Sequence, residues 1–200
     1  MERLIENKLK LIEFCFFYLE KLLFKFINSI ILKPNTVLVN LKFSFFYYVF
    51  IFLKYSFILK IVMLLDIIAI DHPDKILKGT KFELVYVLVS TVLNFRFFFK
   101  IFFNIENLVI SLSSLYASAN WFEREVWDLY GIKFLFHKDL RRILTDYGFV
   151  GHPLLKEFPL TGFIELRYDD SVGSIIYEPI EISQALRIFK YENPWFMWKA

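Results

Sequence analysis

FELVYVLVSTVLNFRFFFKIFF, residues 82–103, is the stretch on which the fold turns. Two apolar runs, 82–94 and 96–103, are joined tightly, and Glu83 and Tyr86 are interleaved among Leu84, Val85 and Val87. Side chains of a strand point alternately to opposite faces, so this rhythm predicts a pair of antiparallel strands. Upstream, KIVMLLDIIAID (60–71) is rich in β-branched residues and ends at His72-Pro73, which predicts a central strand followed by a turn-like stretch to Thr80. Residues 36–41 alternate as a short strand after Pro34 and Asn35. Periodicity allows either a helix or a buried strand over 43–59, and the length favours helix. Residues 2–28 mix charges with Leu4, Leu11, Phe14, Leu22 and Phe26 and read as a peripheral helix.

These elements predict an α+β fold, a mixed or antiparallel sheet with helices packed on it, followed by a long extended C-terminal strap with a hairpin. The expected division is a helical N-terminal extension over 1–35, an α+β domain over 36–131 and an extension over 132–200 that wraps partner subunits. The last expectation rests on Phe134, Phe136, Phe149, Phe158, Trp195 and Trp198, which a strap has few ways to bury without a partner surface.

Hydrophobic residues make up 57% of the chain, above the roughly 45–50% of an ordinary soluble protein, which raises the question of a membrane span. The longest apolar run, FSFFYYVFIFL (43–53), stops at Lys54, short of the ~18–20 residues a spanning helix needs. An integral membrane protein anchored by 43–65 would have to take Lys54 and Lys60 into the span, at about 2.5–3.5 kcal/mol each near its centre. An apolar core filled with Phe and Ile is the simpler reading. A net charge of +3 with dispersed lysines leaves no nucleic-acid footprint, and no nucleic-acid partner is expected. Cys15 is the only cysteine, so an intrachain disulfide and a Cys-ligated zinc or iron–sulfur cluster are excluded. Glu2, Glu6 and Glu13 among the first lysines resemble neither a secretory signal nor a transit peptide, and the expectation is a protein made where it is used.

The charges concentrate in ANWFEREVWDLYGIKFLFHKDLRRILTDYGF, residues 119–149. Asn120 as N-cap, Glu123 in a capping-box-like pairing and Gly131 as a left-handed C-terminal cap predict a helix over 121–130. Phe122, Val126 and Leu129 form its apolar stripe, while Glu125 and Asp128 share another face. Two carboxylates on one face, with His137 or His152 as a third ligand, would suit an independent metal-dependent hydrolase. A charged face paired to Arg141 and Arg142 is the blander and favoured reading, because guanidinium forks match carboxylates. Asp139 is expected to cap 140–144. Beyond it, Pro153 and Pro159 forbid a regular helix and favour an extended strap, in which His152 reads as a packing or hydrogen-bonding residue. The alternating runs 163–168 and 174–178 read as a hairpin.

Glu123-Arg124-Glu125, Asp128, Tyr130-Gly131-Ile132 and Phe134, then His137 and Asp139-Leu140-Arg141-Arg142-Ile143-Leu144, resemble the signature of the thirty-kilodalton subunit family of respiratory complex I, the proton-pumping NADH:ubiquinone oxidoreductase. Lys138 stands where that signature has proline. The similarity continues through Thr145 to Phe149, Gly151-His152-Pro153-Leu154, 158–162 and 167–169, with Leu155 in place of the usual arginine. Upstream it takes in Asp66, Ala69, Asp71, Pro73, 82–86 and Ser90.

The resemblance implies a non-catalytic core subunit of the hydrophilic arm, on the matrix side of the mitochondrial inner membrane, supporting assembly and electron transfer from NADH to quinone. It implies docking chiefly on the quinone-site subunit, with membrane association only through the complex. No catalytic, cofactor-binding or metal-binding residue is expected on this chain. FMN, iron–sulfur clusters and quinone would be carried by other subunits. Glu123, Arg124, Glu125, Asp128, Gly131, His137, Asp139, Arg141, Arg142, His152 and Pro153 are its signature and interface residues.

Overall fold

A computed structural model describes residues 13–14, 17–33, 36–184, 187 and 189. The chain divides into two compact units, one up to Phe158 and one from Pro159. In the first, β1 (Ile27–Lys33), β2 (Thr36–Leu41), β3 (Ile61–Asp71), β4 (Phe82–Ser90) and β5 (Phe95–Phe103) form one sheet in the order β1-β2-β5-β4-β3. β2 and β5 are parallel and every other pairing is antiparallel, so the sheet is mixed, in an α+β fold. The expected β4–β5 hairpin is present, with Leu84 opposite Ile101 and Leu88 opposite Phe97.

The ambiguous stretch over 43–59 resolves into a short 3-10 turn, Phe43–Phe45, and a helix, α1 (Phe46–Tyr55). At ten residues α1 is about 15 Å long, half the thickness of a hydrocarbon core, so the reading of 43–65 as a membrane anchor fails. Among the described residues no helix is long and apolar enough to cross a membrane. Phe46, Val49, Phe50 and Leu53 recur at helical spacing and are buried on one face of the sheet. The Phe50 ring lies 4.9 Å from that of Tyr86 and 5.6 Å from that of Phe99, centroid to centroid. Burying a side chain of this size stabilises the fold by about 1.5–3 kcal/mol.

That packing leaves the Tyr86 hydroxyl buried with no hydrogen-bond partner among the described residues. An unsatisfied buried hydroxyl costs about 1–3 kcal/mol, and phenylalanine has nearly the same shape. Tyr86→Phe is therefore expected to raise folding stability by roughly 1 kcal/mol, read as a higher urea midpoint at unchanged slope. A lower midpoint would show that the hydroxyl has a partner after all.

The two edges of the sheet each correct an expectation. The stretch 60–71 forms β3, but at the edge of the sheet and not at its centre. Its apolar, β-branched composition arises because the edge is covered: the carbonyls of Ile61 and Leu64 accept hydrogen bonds from the Tyr116 and Ser118 hydroxyls, and two register shifts bend the strand away from free pairing. At the other edge, the N-terminal region expected to be wholly helical is helical over 17–23 and then turns into β1, which pairs with β2. Pairing across the short connection satisfies a ladder of backbone groups that a lone peripheral helix would leave to side-chain packing. The rest of the expected helix, 1–12 and 15–16, lies outside the described residues.

The segment after β5 adds β6 (Val109–Ile110), which pairs in parallel with β7 (Phe134–Leu135), so that the intervening helix, α2 (Ala119–Tyr130), packs against β3. Residues 151–158 are not an extended strap. They fold as successive turns, with the Leu155 amide bonding to His152 O and the Phe158 amide to Leu155 O. The prolines do block a helix, but Gly151, at φ 106°, lets the chain turn instead.

In the second unit, β8 (Ile164–Asp169) and β9 (Ser174–Pro179) form the expected antiparallel hairpin. Ile164, Leu166 and Tyr168 pair with Pro179, Tyr177 and Ile175, so all six lie on one face, and that face is exposed. The opposite face carries Arg167 bonded through two nitrogens to Glu178.

Candidate functional site

Helix α2 organises the charged block. Its C-terminus is closed as the sequence predicts: Gly131 is left-handed, at φ 75°, and its amide bonds to Trp127 O. The N-terminus differs. The helix begins at Ala119 behind Ser118, no side chain caps it, and Glu123 makes no capping box. Glu123 instead points inward, in register with Ala119 and Val126, and all three are buried. The inward stripe is thus rotated from the expected Phe122, Val126 and Leu129, of which Val126 alone is fully buried.

Asp128 is the hub. Its side chain is fully buried, and its Oδ2 accepts the amides of Ile143, Leu144 and Thr145 at 3.1, 2.8 and 2.9 Å. Oδ1 accepts the Thr145 hydroxyl at 2.6 Å and Arg142 Nη1 at 3.3 Å. Burial by itself raises this carboxyl's pKa, but the bonds from Thr145, Leu144 and Ile143 outweigh it and hold the group below the ordinary aspartate value. Three consecutive amides converging on one carboxylate form a nest that shapes an otherwise irregular loop. The helix therefore caps the loop, and Asp139, expected to cap 140–144, pairs with Arg141 instead.

The carbonyl of Asp128 accepts from His152 Nδ1 at 2.9 Å, and the ring of His152 covers Gly131 and tilts over Trp127. Leu154 N–H bonds to Leu129 O, Lys156 N–H to Asp71 Oδ2, and Lys81 Nζ to Glu157, so the turns around Pro153 are fastened to α2 and to the sheet. Arg124 Nε donates to Arg141 O at 3.1 Å. Of the two arginines, Arg142 turns inward, while Arg141 remains three-quarters exposed.

His137 is placed on the other side of α2. Its Nε2 is 3.3 Å from Asn120 O and 3.8 Å from Glu123 Oε2, and its Nδ1 accepts the Asp139 amide. Glu125 lines a separate indentation of about 230 Å³ with Asp66, Ala69, Leu129, Tyr130 and Leu154. The hydrolase reading requires Glu125, Asp128 and His137 to converge, and they do not: Asp128 is spent on the loop and His137 faces Glu123. Among the described residues no group of three such ligands could hold a metal ion.

Sequence reasoning misses Ser111 and Leu112, which hydrogen-bond to Glu123, and the hub role of Thr145. A glutamate four residues after Ala119 and three before Val126 is the available signal, since that spacing puts it on the inward stripe.

Residues 41–164 match the family model described as "Respiratory-chain NADH dehydrogenase, 30 Kd subunit". Over 174 residues the chain is 46% identical to NADH-ubiquinone oxidoreductase subunit 9 of Acanthamoeba castellanii, covering 86% of this chain and 87% of that one. Over 144 residues it is 46% identical to NADH dehydrogenase (ubiquinone) iron-sulfur protein 3 of Oryza sativa subsp. japonica, covering 72% of this chain and 74% of that one. A chain in the structure of the membrane-bound sulfane sulfur reductase, an archaeal respiratory membrane complex, shares the fold at a TM-score of 0.59 and 21% identity, over 74% of this chain and 85% of that one. A match over most of the chain at this identity leaves one assignment: the chain belongs to the family of 30 kDa subunits of the respiratory-chain NADH dehydrogenase.

Proposed function

We propose that this chain is a non-catalytic core subunit of the hydrophilic arm of NADH:ubiquinone oxidoreductase, supporting assembly and electron transfer by docking on the quinone-site subunit. It works on the matrix side of the mitochondrial inner membrane, and FMN, the iron–sulfur clusters and quinone belong to other subunits. The extension over 132–200 supplies the contacts that wrap those neighbours. The observation that carries this reading is the β8–β9 hairpin. A two-stranded sheet with six apolar side chains on one exposed face is at best marginally stable alone in water, and a partner surface completes it. The Asp128 network supports it independently, because its groups are engaged in shaping the chain's own loop.

Native electrophoresis of membranes, probed for this chain, tests the proposal. The chain is expected to migrate with the assembled complex, and a purely free, low-mass species would overturn the reading. Within the signature block, Glu123, Asp128, Gly131, Arg142, His152 and Pro153 shape the surface. Arg124, Glu125, His137, Asp139 and Arg141 border it. Arg141→Ala is expected to lower the assembled fraction several-fold while shifting the chain's own stability by less than about 0.5 kcal/mol, the usual size for an exposed pair. Arg142→Ala should lower both. Normal abundance of the complex in both variants would remove the arginines from the interface.

A further inference from the structure

Glu123 is a fully buried carboxylate among hydroxyls, an amide and one imidazole. From the segment before α2, Ser111 Oγ–H donates to Oε2 at 2.5 Å and Leu112 N–H to Oε1 at 2.7 Å. Ser111 is held in turn by Ser113, 2.7 Å away between hydroxyls. From β4, the Tyr86 phenol has its pKa pushed well up by burial, and the charge of Glu123 adds to that rise. From the segment after β7 comes His137, whose side chain is 1% exposed. No lysine or arginine among the described residues forms an ion pair with Glu123.

The hydrogen-bond directions settle the state of the imidazole. Asp139 N–H points at Nδ1, so Nδ1 carries no proton and the ring is the neutral Nε2–H form, facing Asn120 O. A neutral His137 offers Glu123 no positive charge. An ionised Glu123 would then be a buried anion with two hydrogen bonds and no counter-ion.

We propose that Glu123 and His137 form a proton-operated latch fastening residues 137–141 to α2, closed while the Glu123 carboxyl holds its proton and loosened when it ionises. On ionisation the O–H bond of the carboxyl breaks and the proton goes to bulk water. The one nearby N–H able to turn toward the new charge is His137 Nε2–H, 3.8 Å away, and turning it abandons Asn120 O and disturbs the Asp139 amide bond. Residues 142–145 stay pinned by Asp128, which confines the change to the segment ending at Arg141. Burial, only partly offset by the bonds from Ser111 and Leu112, raises the carboxyl from its ordinary 4.5 to about 7. A folded value above the unfolded one means that the closed form's contribution is complete below about 4.5 and lost as pH rises through about 7. The latch is a property of this chain and stands apart from the proposed docking.

The test uses the full chain with carbon-13-labelled glutamate carboxyls. The Glu123 resonance is expected to titrate near 7, and the Asp139 amide should lose about tenfold in exchange protection between about pH 6 and about pH 8.5, after correction for intrinsic exchange. Glu123→Gln keeps the shape and the Ser111 contact and should flatten that dependence. His137→Asn keeps an acceptor for the Asp139 amide and should leave the carboxyl titrating near neutrality. A Glu123 midpoint at the ordinary carboxylate value overturns the proposal. So does a Glu123→Gln chain whose protection still falls with pH, or a His137→Asn chain in which the Glu123 resonance no longer titrates near neutrality. Should Glu123→Gln fail to fold, the wild-type titration still decides.

Discussion

Asp128→Ala is expected to destabilise the folded chain by roughly 3–5 kcal/mol, a large fraction of the 5–15 kcal/mol that holds a typical domain together. The substitution removes the acceptor for three consecutive amides, the Thr145 hydroxyl and Arg142 Nη1 at one stroke. These donors are partly buried and cannot all reach water, so each loss approaches the full cost of an unmade bond and not the smaller net worth of an exchanged one. Asp128→Asn retains the outline but turns one oxygen into a donor facing donors, and should cost about half as much. The effect also has a pH signature. Because the folded carboxyl lies below its ordinary value, its contribution is complete above that value, near 4, and disappears as pH falls through the folded value. Wild type and Asp128→Ala should therefore converge in stability toward acid pH. Urea unfolding measures the difference, and exchange protection at 143–145 localises it. A loss under about 1 kcal/mol at neutral pH would mean that the loop does not depend on this hub.

Gly131→Ala should cost roughly 2–4 kcal/mol. The backbone there is left-handed, at φ 75°, where a Cβ costs about 1–2 kcal/mol. A Cβ would also meet the His152 ring at 2.7 Å, closer than any relaxed contact. The ring would have to move, and with it the His152–Asp128 O bond and the tilted contact with Trp127. Gly148 is a useful control: it is left-handed at φ 74°, but a Cβ there meets nothing within 4 Å. Gly148→Ala should therefore show the backbone cost alone, and the difference between the two variants measures the His152 contact. Equal losses would show that the contact is worth little. In both variants thermal unfolding of the full chain is the measurement.

The elements whose residues interact with their own neighbours are legible in the sequence. The alternation over 82–103 pairs β4 with β5, because a tight connection brings adjacent runs together and leaves one register that buries Phe97, Phe99 and Ile101. Gly131 announces the end of α2, because only a left-handed residue closes a helix in that way. The runs around 169–173 form a hairpin, with Asp169 bonding back to Ser171 and Gly173.

Expectation and structure part where a residue's partner is distant in sequence. An apolar run reads the same whether two strands flank it or whether hydroxyls such as Tyr116 and Ser118 cover its edge, so composition alone puts β3 at the centre. Ile27–Lys33 reads as the end of a helix until the strand it pairs with is taken into account. Local spacing assigns Glu123 to the helix terminus as a capping residue, although the rotation of α2 against the sheet turns it inward. Nothing local connects Asp128 with the amides of 143–145 or with His152, because the path of the loop brings them together.

For this protein, the amino-acid order alone determined the elements with a clear period, the helix end at Gly131 and the resemblance that points to its family. Periodicity and backbone restriction act within a few residues, which is why they can be read from a line of text. The strand order, the inward turn of Glu123 and the use of Asp128 as a loop hub were settled only when the chain folded. Buried charges choose partners by proximity across the whole molecule, and a carboxylate removed from water takes whichever donors the packing brings to it.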